Sequence, residues 1–465
     1  MIWFDEQFPT QGTDLSVLYS DDIPASFSEL NAFSEHKVQA DEIIQALALD
    51  LDEARRHVRG GLSVDVAEEL EDEGSLDDLL WTRDSVERPL READVEAIAK
   101  RALETLEQRH VLLPDAENLV RRCVIALLGG HLVLQGPPGT GKTTLARALG
   151  DAFHIELRES TATSDWSPFH VIGGFRPNAA GGLMPVYGKV TEAILRCANV
   201  VRNDVQGKIS SDDNAEDISA TQAQKQATWL FIDEFNRADI DKAIGSLYTV
   251  LSSTDAGHLD RSPIDLWFEQ DPRSQQLWVP GRFRIIAAMN DLDTSYVNSL
   301  SQGLKRRFRF VTVGVVSLRG TDAAPVTDEL MAAFSNAYDW LARTYGHALS
   351  LQPAEQMLSV VTLGMQRFQQ LVDELRSSRA GEPGLPLGTA QIVDVMRMML
   401  LAVAGGTTTV PSALDLAIAD GIVPQMSNVY AQQGQRLNDL MRELELPLSA
   451  SALSDLLLLD AGLAV

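Results

Sequence analysis

The octet Gly136-Pro137-Pro138-Gly139-Thr140-Gly141-Lys142-Thr143 matches G-x-x-x-x-G-K-[ST] at every fixed position. Such a loop grips an anion only where a strand delivers it and a helix N-terminus receives it, which leaves few folds open. Both flanks read that way. His131 to Gln135 is a short apolar strand, and Lys142 to Phe153 carries a helical pattern. The glycines let backbone amides reach phosphate oxygens with no Cβ in between. Lys142 is expected on the β- and γ-phosphates of a nucleotide and Thr143 on Mg²⁺, with Thr144 closing the loop.

The rhythm around this loop is alternating strand and helix, the pattern of a parallel α/β sheet. Further strands are predicted at His154 to Glu159, Trp229 to Asp233, Phe283 to Ala288 and Arg309 to Val313. Trp229 to Glu234 is an apolar strand ending in two acids, so its carboxylates fall at the carboxyl edge of the sheet beside the phosphate loop. Asp233 suits a metal-holding role and Glu234 the orientation of an attacking water. Arg282 to Asn290 ends in an amide that either bonds the γ-phosphate or the attacking water, or caps a turn. Lys305-Arg306-Arg307-Phe308-Arg309 is a basic run after a predicted helix at Tyr296 to Leu304. It reads either as a surface cluster or as a guanidinium presented to a neighbouring subunit, an effect on the order of 10³ to 10⁵ in turnover.

The phosphate loop, FIDEFNRAD, AAMN and KRRF, in that order, resemble an AAA+ ATPase. The wording is similar to the dynein-related branch, which includes MoxR-type chaperones and McrB-type motors. The resemblance spans roughly residues 115–430 and implies a P-loop NTPase core with a parallel sheet and a C-terminal helical lid. It also implies Mg-ATP, Asn290 as sensor 1, Arg306 or Arg307 as a finger acting in trans, and a ring, usually hexameric. The function implied is remodelling of a protein client, with a GTP-driven motor partnering a nuclease as the alternative. Two hairpins are expected at the family's insertion points: Trp166 to Gly188, turning at Gly173-Gly174 and Gly181-Gly182, and residues 264–282, with Leu266-Trp267-Phe268 paired to Leu277-Trp278-Val279. They would line a pore or touch clients, or serve as plain structural hairpins. One departure stands out. Where the lid helix usually opens with an arginine, this chain has Gly388-Thr389-Ala390-Gln391, and Arg397 comes almost two turns later.

After residue 320 strands vanish. Leu330, Phe334, Ala337 and Leu341 repeat at helical spacing, as do Ile392, Val395, Met396 and Met399, so the C-terminal part is a helical bundle with Met396, Met398 and Met399 as core filler. The partition expected is 1–114, 115–318 and 319–465.

The first 110 residues hold 27 acidic and 10 basic side chains, so most of the net charge of −27 sits there. That balance opposes general attraction to nucleic acid or anionic lipid. The region is expected to be acidic and mainly helical, with a stripe of Val95, Ile98, Ala102 and Leu106 broken at Leu113-Pro114-Asp115. It reads as a docking module for a basic partner, dispensable for hydrolysis, or as a solvated acidic extension that only keeps a ring soluble. Residues 203–227 read as a solvated loop. Cys123 and Cys197 are too few for a disulfide framework and are expected as buried free thiols. No leader or membrane-spanning run is apparent, which points to the cytoplasm.

Overall fold

A computed structural model describes residues 82–460, apart from 178–181, 207–224, 273, 291–299, 316–327, 350, 379–383, 407, 427–428 and 430. All of them lie in the compact unit that begins at Leu76. Residues 207–224 of the expected solvated loop and 296–299 of the helix predicted at 296–304 fall outside the described residues, as does the acidic stretch before residue 82; residues 203–206 instead end a helix, Ala227 opens a strand, and the predicted helix is helical from Gln302.

Helix α1 (Val95–Gln108) begins where the Asp94 carboxylate accepts the backbone N–H groups of Glu96 and Ala97, each at 3.1 Å. It buries Ile98, Ala99, Ala102 and Leu106. The chain breaks at Leu113-Pro114-Asp115 and resumes as α2 (Ala116–Gly129). Then follow β1 (His131–Gly136), α3 (Lys142–Ala152), β2 (Ile155–Thr161), α4 (Pro168–Val171), β3 (Gly173–Pro177), β4 (Leu183–Tyr187) and α5 (Lys189–Gln206). Next come β5 (Ala227–Asp233), α6 (Ile240–Ile244), α7 (Ala256–Asp260), β6 (Ile264–Asp265), β7 (Gln276–Leu277), β8 (Ile285–Asn290), α8 (Gln302–Lys305) and β9 (Phe308–Thr312).

Five strands form one parallel sheet in the order β2-β5-β8-β1-β9. β1 thus lies between β8 and β9, and its register sets Gly136 beside Asn290. Three strand ends carrying Gly136, Asp233 and Asn290 converge on one edge, the carboxyl edge where α/β sheets bind ligands. The three central strands β5, β8 and β1 are buried on both faces, so they read as continuous apolar runs, whereas the edge strands β2 and β9 are partly exposed. Fixed between strands, the buried His131 accepts the Ile285 N–H at Nδ1, at 3.0 Å. Burial pushes its pKa down to about 3.

Residues 82–114, grouped by sequence with the acidic N-terminal region, pack into this core. Val86 and the apolar face of α1 belong to the same hydrophobic cluster as the sheet. The stripe itself is legible in the sequence; the acidic balance of the first 110 residues sets it apart from the core it belongs to. Cys123 and Cys197 are buried free thiols whose pKa burial pushes up to about 12.

Both hairpins exist, with different limits. β3 and β4 pair antiparallel from Gly173↔Tyr187 to Pro177↔Leu183, so Gly173-Gly174 opens a strand instead of turning the chain. A Cβ at Gly173 would lie 2.2 Å from the Val186 carbonyl oxygen, which is why glycine stands there. The second hairpin pairs only Ile264↔Leu277 and Asp265↔Gln276. Leu266 to Glu269 is a turn closed by the Glu269 N–H on the Leu266 carbonyl at 2.9 Å. Leu266 and Phe268 are buried and Trp267 exposed, an alternation that imitates a strand.

The C-terminal bundle comprises α9 (Asp328–Tyr345), α10 (Ala354–Arg376), α11 (Thr389–Ala404), α12 (Val410–Gly421), α13 (Ala431–Glu443) and α14 (Pro447–Asp460). It has its own hydrophobic cluster, in which Met396 and Met399 are buried. Met398, expected as core filler, is exposed. It lies on the opposite face of α11 from its neighbours' stripe. A buried ion pair of Arg376 with Glu329, at 2.6 Å, organises the start of α11. Arg376 also donates to the Leu387 carbonyl, and the Thr389 hydroxyl donates to Glu329 at 2.6 Å. No helix among the described residues is long and apolar enough to cross a membrane.

Candidate nucleotide-binding and hydrolysis site

The loop after β1 turns through Gly139 (φ 75°) and Gly141 (φ 84°), left-handed values that favour glycine. The Thr140 hydroxyl donates to the Pro137 carbonyl at 3.0 Å, and Pro138 completes the bend. At Gly141 the loop rests on Val111 and Leu113, so the segment between α1 and α2 supports it from below. The chain then enters α3 at Lys142, which points the first free amides of that helix at the cradle. Thr144 lies in the first turn of the same helix.

Lys142 is buried, and its ammonium donates to the carbonyls of Gly136 at 2.9 Å and Pro137 at 2.7 Å, and to Asn290 Oδ1 at 2.8 Å. The Asn290 amide nitrogen in turn donates to Glu234 at 3.1 and 3.3 Å. Thr143 Oγ1 donates to Asp233 Oδ2 at 3.2 Å. The loop lysine, the strand-end amide and both acids therefore meet at one edge, although they come from three strands.

Glu234 adopts φ 53°, a strained conformation for a side chain of this kind. Neighbouring bonds over-determine it. Its own N–H donates to Asp233 Oδ1 at 2.9 Å, its carbonyl accepts from the Arg237 N–H at 2.8 Å, and Phe235 N–H is held by the Ala288 carbonyl at 2.8 Å. The turn swings the Glu234 carboxylate off the strand line and towards Asn290.

Two further residues join the cluster that sequence reasoning did not single out. Arg237 Nε pairs with Glu234 Oε2 at 3.1 Å. Asn236 is buried and donates from Nδ2 to the Asn290 carbonyl at 2.9 Å. Both lie in the FNRAD stretch already quoted, and their signal was polar type one turn beyond a strand-end acid.

The two candidate arginines part company. Arg307 donates to the carbonyls of Tyr248 at 2.6 Å and Gly303, and its guanidinium lies 4.3 Å from the Tyr248 ring centroid. It fastens α8 to the segment after α6. Arg306, one residue earlier at the end of α8, is exposed and has no partner among the described residues.

The lid reaches the loop directly. Ala390 N–H donates to the Gly139 carbonyl at 2.9 Å. A Cβ at Gly388 would sit 2.5 Å from the Pro138 oxygen and the Gly139 carbonyl carbon. Gln391 lies against Gly139 but turns its oxygen back to the Gly388 N–H and its nitrogen to Gln425 at 2.8 Å. Arg397 is occupied within the lid, bonded to Asn336 at 2.9 Å and placed over Trp340.

The family comparison agrees with this geometry. Residues 131–308 match the AAA domain of the dynein-related subfamily. No curated protein matches the chain. Among solved structures, one of a candidate ATPase from Cytophaga hutchinsonii is similar at 12% identity and a TM-score of 0.30, covering 75% of this chain and 95% of that one. The order of sheet strands, the phosphate loop after β1 and the paired acids after β5 place residues 131–308 in the dynein-related branch of the AAA+ ATPases.

Proposed function

We propose that this chain is an ATP-hydrolysing AAA+ remodelling ATPase that acts on a protein client as a ring. The observation that carries the reading is the unbroken run of polar contacts from Lys142 through Asn290 to Glu234. Gly136, Pro137, Pro138, Gly139, Thr140, Gly141, Lys142, Thr143 and Thr144 form the nucleotide cradle. Lys142 exchanges its loop carbonyls for phosphate oxygens. Glu234 orients the attacking water and takes up its proton, while Asn290 holds Glu234 in position.

The donor set suits Mg²⁺. A threonine hydroxyl and a carboxylate side by side are hard oxygen donors, and Mg²⁺ keeps its remaining positions for phosphate and water. Thr143 and Asp233 would hold it, and when bound it neutralises charge on the β- and γ-phosphates. Arg306, the unengaged guanidinium, serves a neighbouring subunit's nucleotide.

Residues 319–465 act as the lid. Residues 1–75, with 18 acidic and 4 basic side chains, act as a docking segment for a basic partner.

Nucleotide binding and phosphate release, measured separately, test the assignment. Glu234→Gln should bind ATP normally and turn over at least about a hundredfold more slowly, whereas Lys142→Ala should lose binding. Equal loss of binding in both variants would sink it. Competition with GTP reports base preference in the same assay.

A further inference from the structure

Where the two hairpins approach each other, the protein holds an open pocket of about 500 Å³. Its walls include Phe169 of α4, Phe175 of β3 and Trp267 in the turn after β6, with Asp265 and Ser246 at the polar side. Trp267 is 62% exposed, an unusual amount for a large ring. It is nevertheless held in one orientation. Phe175 meets it edge-on at 5.6 Å, and the buried Phe268 meets it edge-on at 5.7 Å. Gly174 admits the aromatic walls at close range, since a Cβ there would stand 2.9 Å from Phe169. Asp265 is exposed, and its carboxylate has no hydrogen-bond or ion-pair partner among the described residues.

We propose that this pocket recognises a cationic side chain, arginine before lysine, on an extended segment of a polypeptide client. The inference rests on the client reading above and adds the chemistry of what is gripped. Aromatic faces carry negative potential and attract a cation. The planar guanidinium stacks on such faces and also meets a carboxylate through two donors, which a lysine ammonium cannot do. Rings preset by their neighbours lose little freedom on binding. Charge complementarity agrees: residues 76–465, the unit that holds the pocket, carry 48 acidic and 35 basic side chains, a balance that draws cationic polypeptide and repels nucleic acid. The volume exceeds one arginine side chain, so the flanking apolar residues of the client occupy the rest against Phe169.

The test uses the full-length protein and a fluorescein-labelled heptapeptide, Gly-Ser-Leu-Arg-Leu-Ser-Gly, beside the same peptide with citrulline in place of arginine. Citrulline keeps the shape and removes the charge. Anisotropy at low salt should show the arginine peptide binding at least about tenfold more tightly, a difference of about 1.4 kcal/mol. Asp265→Asn should erase that preference while leaving weak binding of both peptides. Trp267→Ala should weaken both. Thermal midpoint and ATP affinity check that each variant is folded, and Asp265→Glu, which retains the charge, should retain the preference. Equal affinity for the two peptides, no saturable binding, or a preference that survives Asp265→Asn would overturn the proposal. ATP turnover is measured alongside. Normal turnover without peptide discrimination defeats this inference alone, and discrimination without turnover defeats the ATPase assignment alone.

Discussion

Lys142 and Asn290 are joined by a 2.8 Å hydrogen bond from Nζ to Oδ1, made across neighbouring strands whose register sets Gly136 beside Asn290. The asparagine spends its acceptor on the phosphate-loop cation and its donor on Glu234. One amide therefore ties the phosphate-loop lysine to the strand-end acid, the two groups proposed above to meet phosphate and water.

Asn290→Ala is expected to leave ATP affinity within about threefold of wild type and to slow turnover on the order of a hundredfold, the usual scale for losing the orienter of a general base. Asn290→Asp is expected to be worse, because it sets a second carboxylate against Glu234. Steady-state kinetics with a separate binding titration checks both. A rise in KM with kcat unchanged would assign Asn290 to binding instead.

Arg306 and Arg307 should separate in a single pair of variants. Arg307→Ala removes two carbonyl bonds and a ring contact, and is expected to destabilise the fold by about 2 kcal/mol in urea titration. Arg306→Ala is expected to leave stability within about 0.5 kcal/mol and to cut turnover at assembling concentrations. Mixing Arg306→Ala with Glu234→Gln should recover part of the activity, since some mixed interfaces are intact. Full activity of Arg306→Ala would contradict a role in trans.

Two truncations should behave oppositely. Removing residues 1–75 is expected to leave a folded ATPase, whereas removing 1–110 takes away Ile98 and Leu106, each contributing about 1.5 to 3 kcal/mol by burial. The longer deletion should be insoluble or unfolded by circular dichroism. Equal folding of both would show that α1 is not part of the core.

His131 makes a specific contribution to acid sensitivity. Its folded pKa is lowered to about 3 from an ordinary value of 6.5. The unfolded chain thus binds the extra proton first, and stability falls as pH drops from 6.5 towards 3. The slope is about 1.4 kcal/mol per pH unit below 6. His131→Asn, which keeps an acceptor for the Ile285 N–H, should flatten that part of the curve. Unfolding free energies of the two proteins at pH 7, 6 and 5 decide it.

That the residues of the proposed nucleotide site meet could be read from the sequence because they are contiguous in order. The phosphate loop sits in one octet, and Asp233-Glu234 and Asn290 each close an apolar run, so local order along the chain mirrors position along the sheet edge. Arg306 and Arg307 could not be told apart in the same way. They are adjacent and alike, and what separates them is that Tyr248, about sixty residues away, engages Arg307 together with the Gly303 carbonyl. Trp267 failed for a different reason: alternating burial is common to strands and to turns whose flanking residues are anchored. Met398 was misassigned because a run of methionines hides the helical phase that sorts its members.

Gly388 bears on how the lid learns what the loop holds. Its contact with Pro138 and Gly139 is backbone against backbone, with no ionised group between them. If the C-terminal helices act as the proposed lid, coupling of this kind would gauge the shape of the phosphate loop and ignore its electric field. Salt that weakens binding of an anionic nucleotide should therefore leave the communication between loop and lid untouched, and the hinge behaves as a feeler resting on a cam.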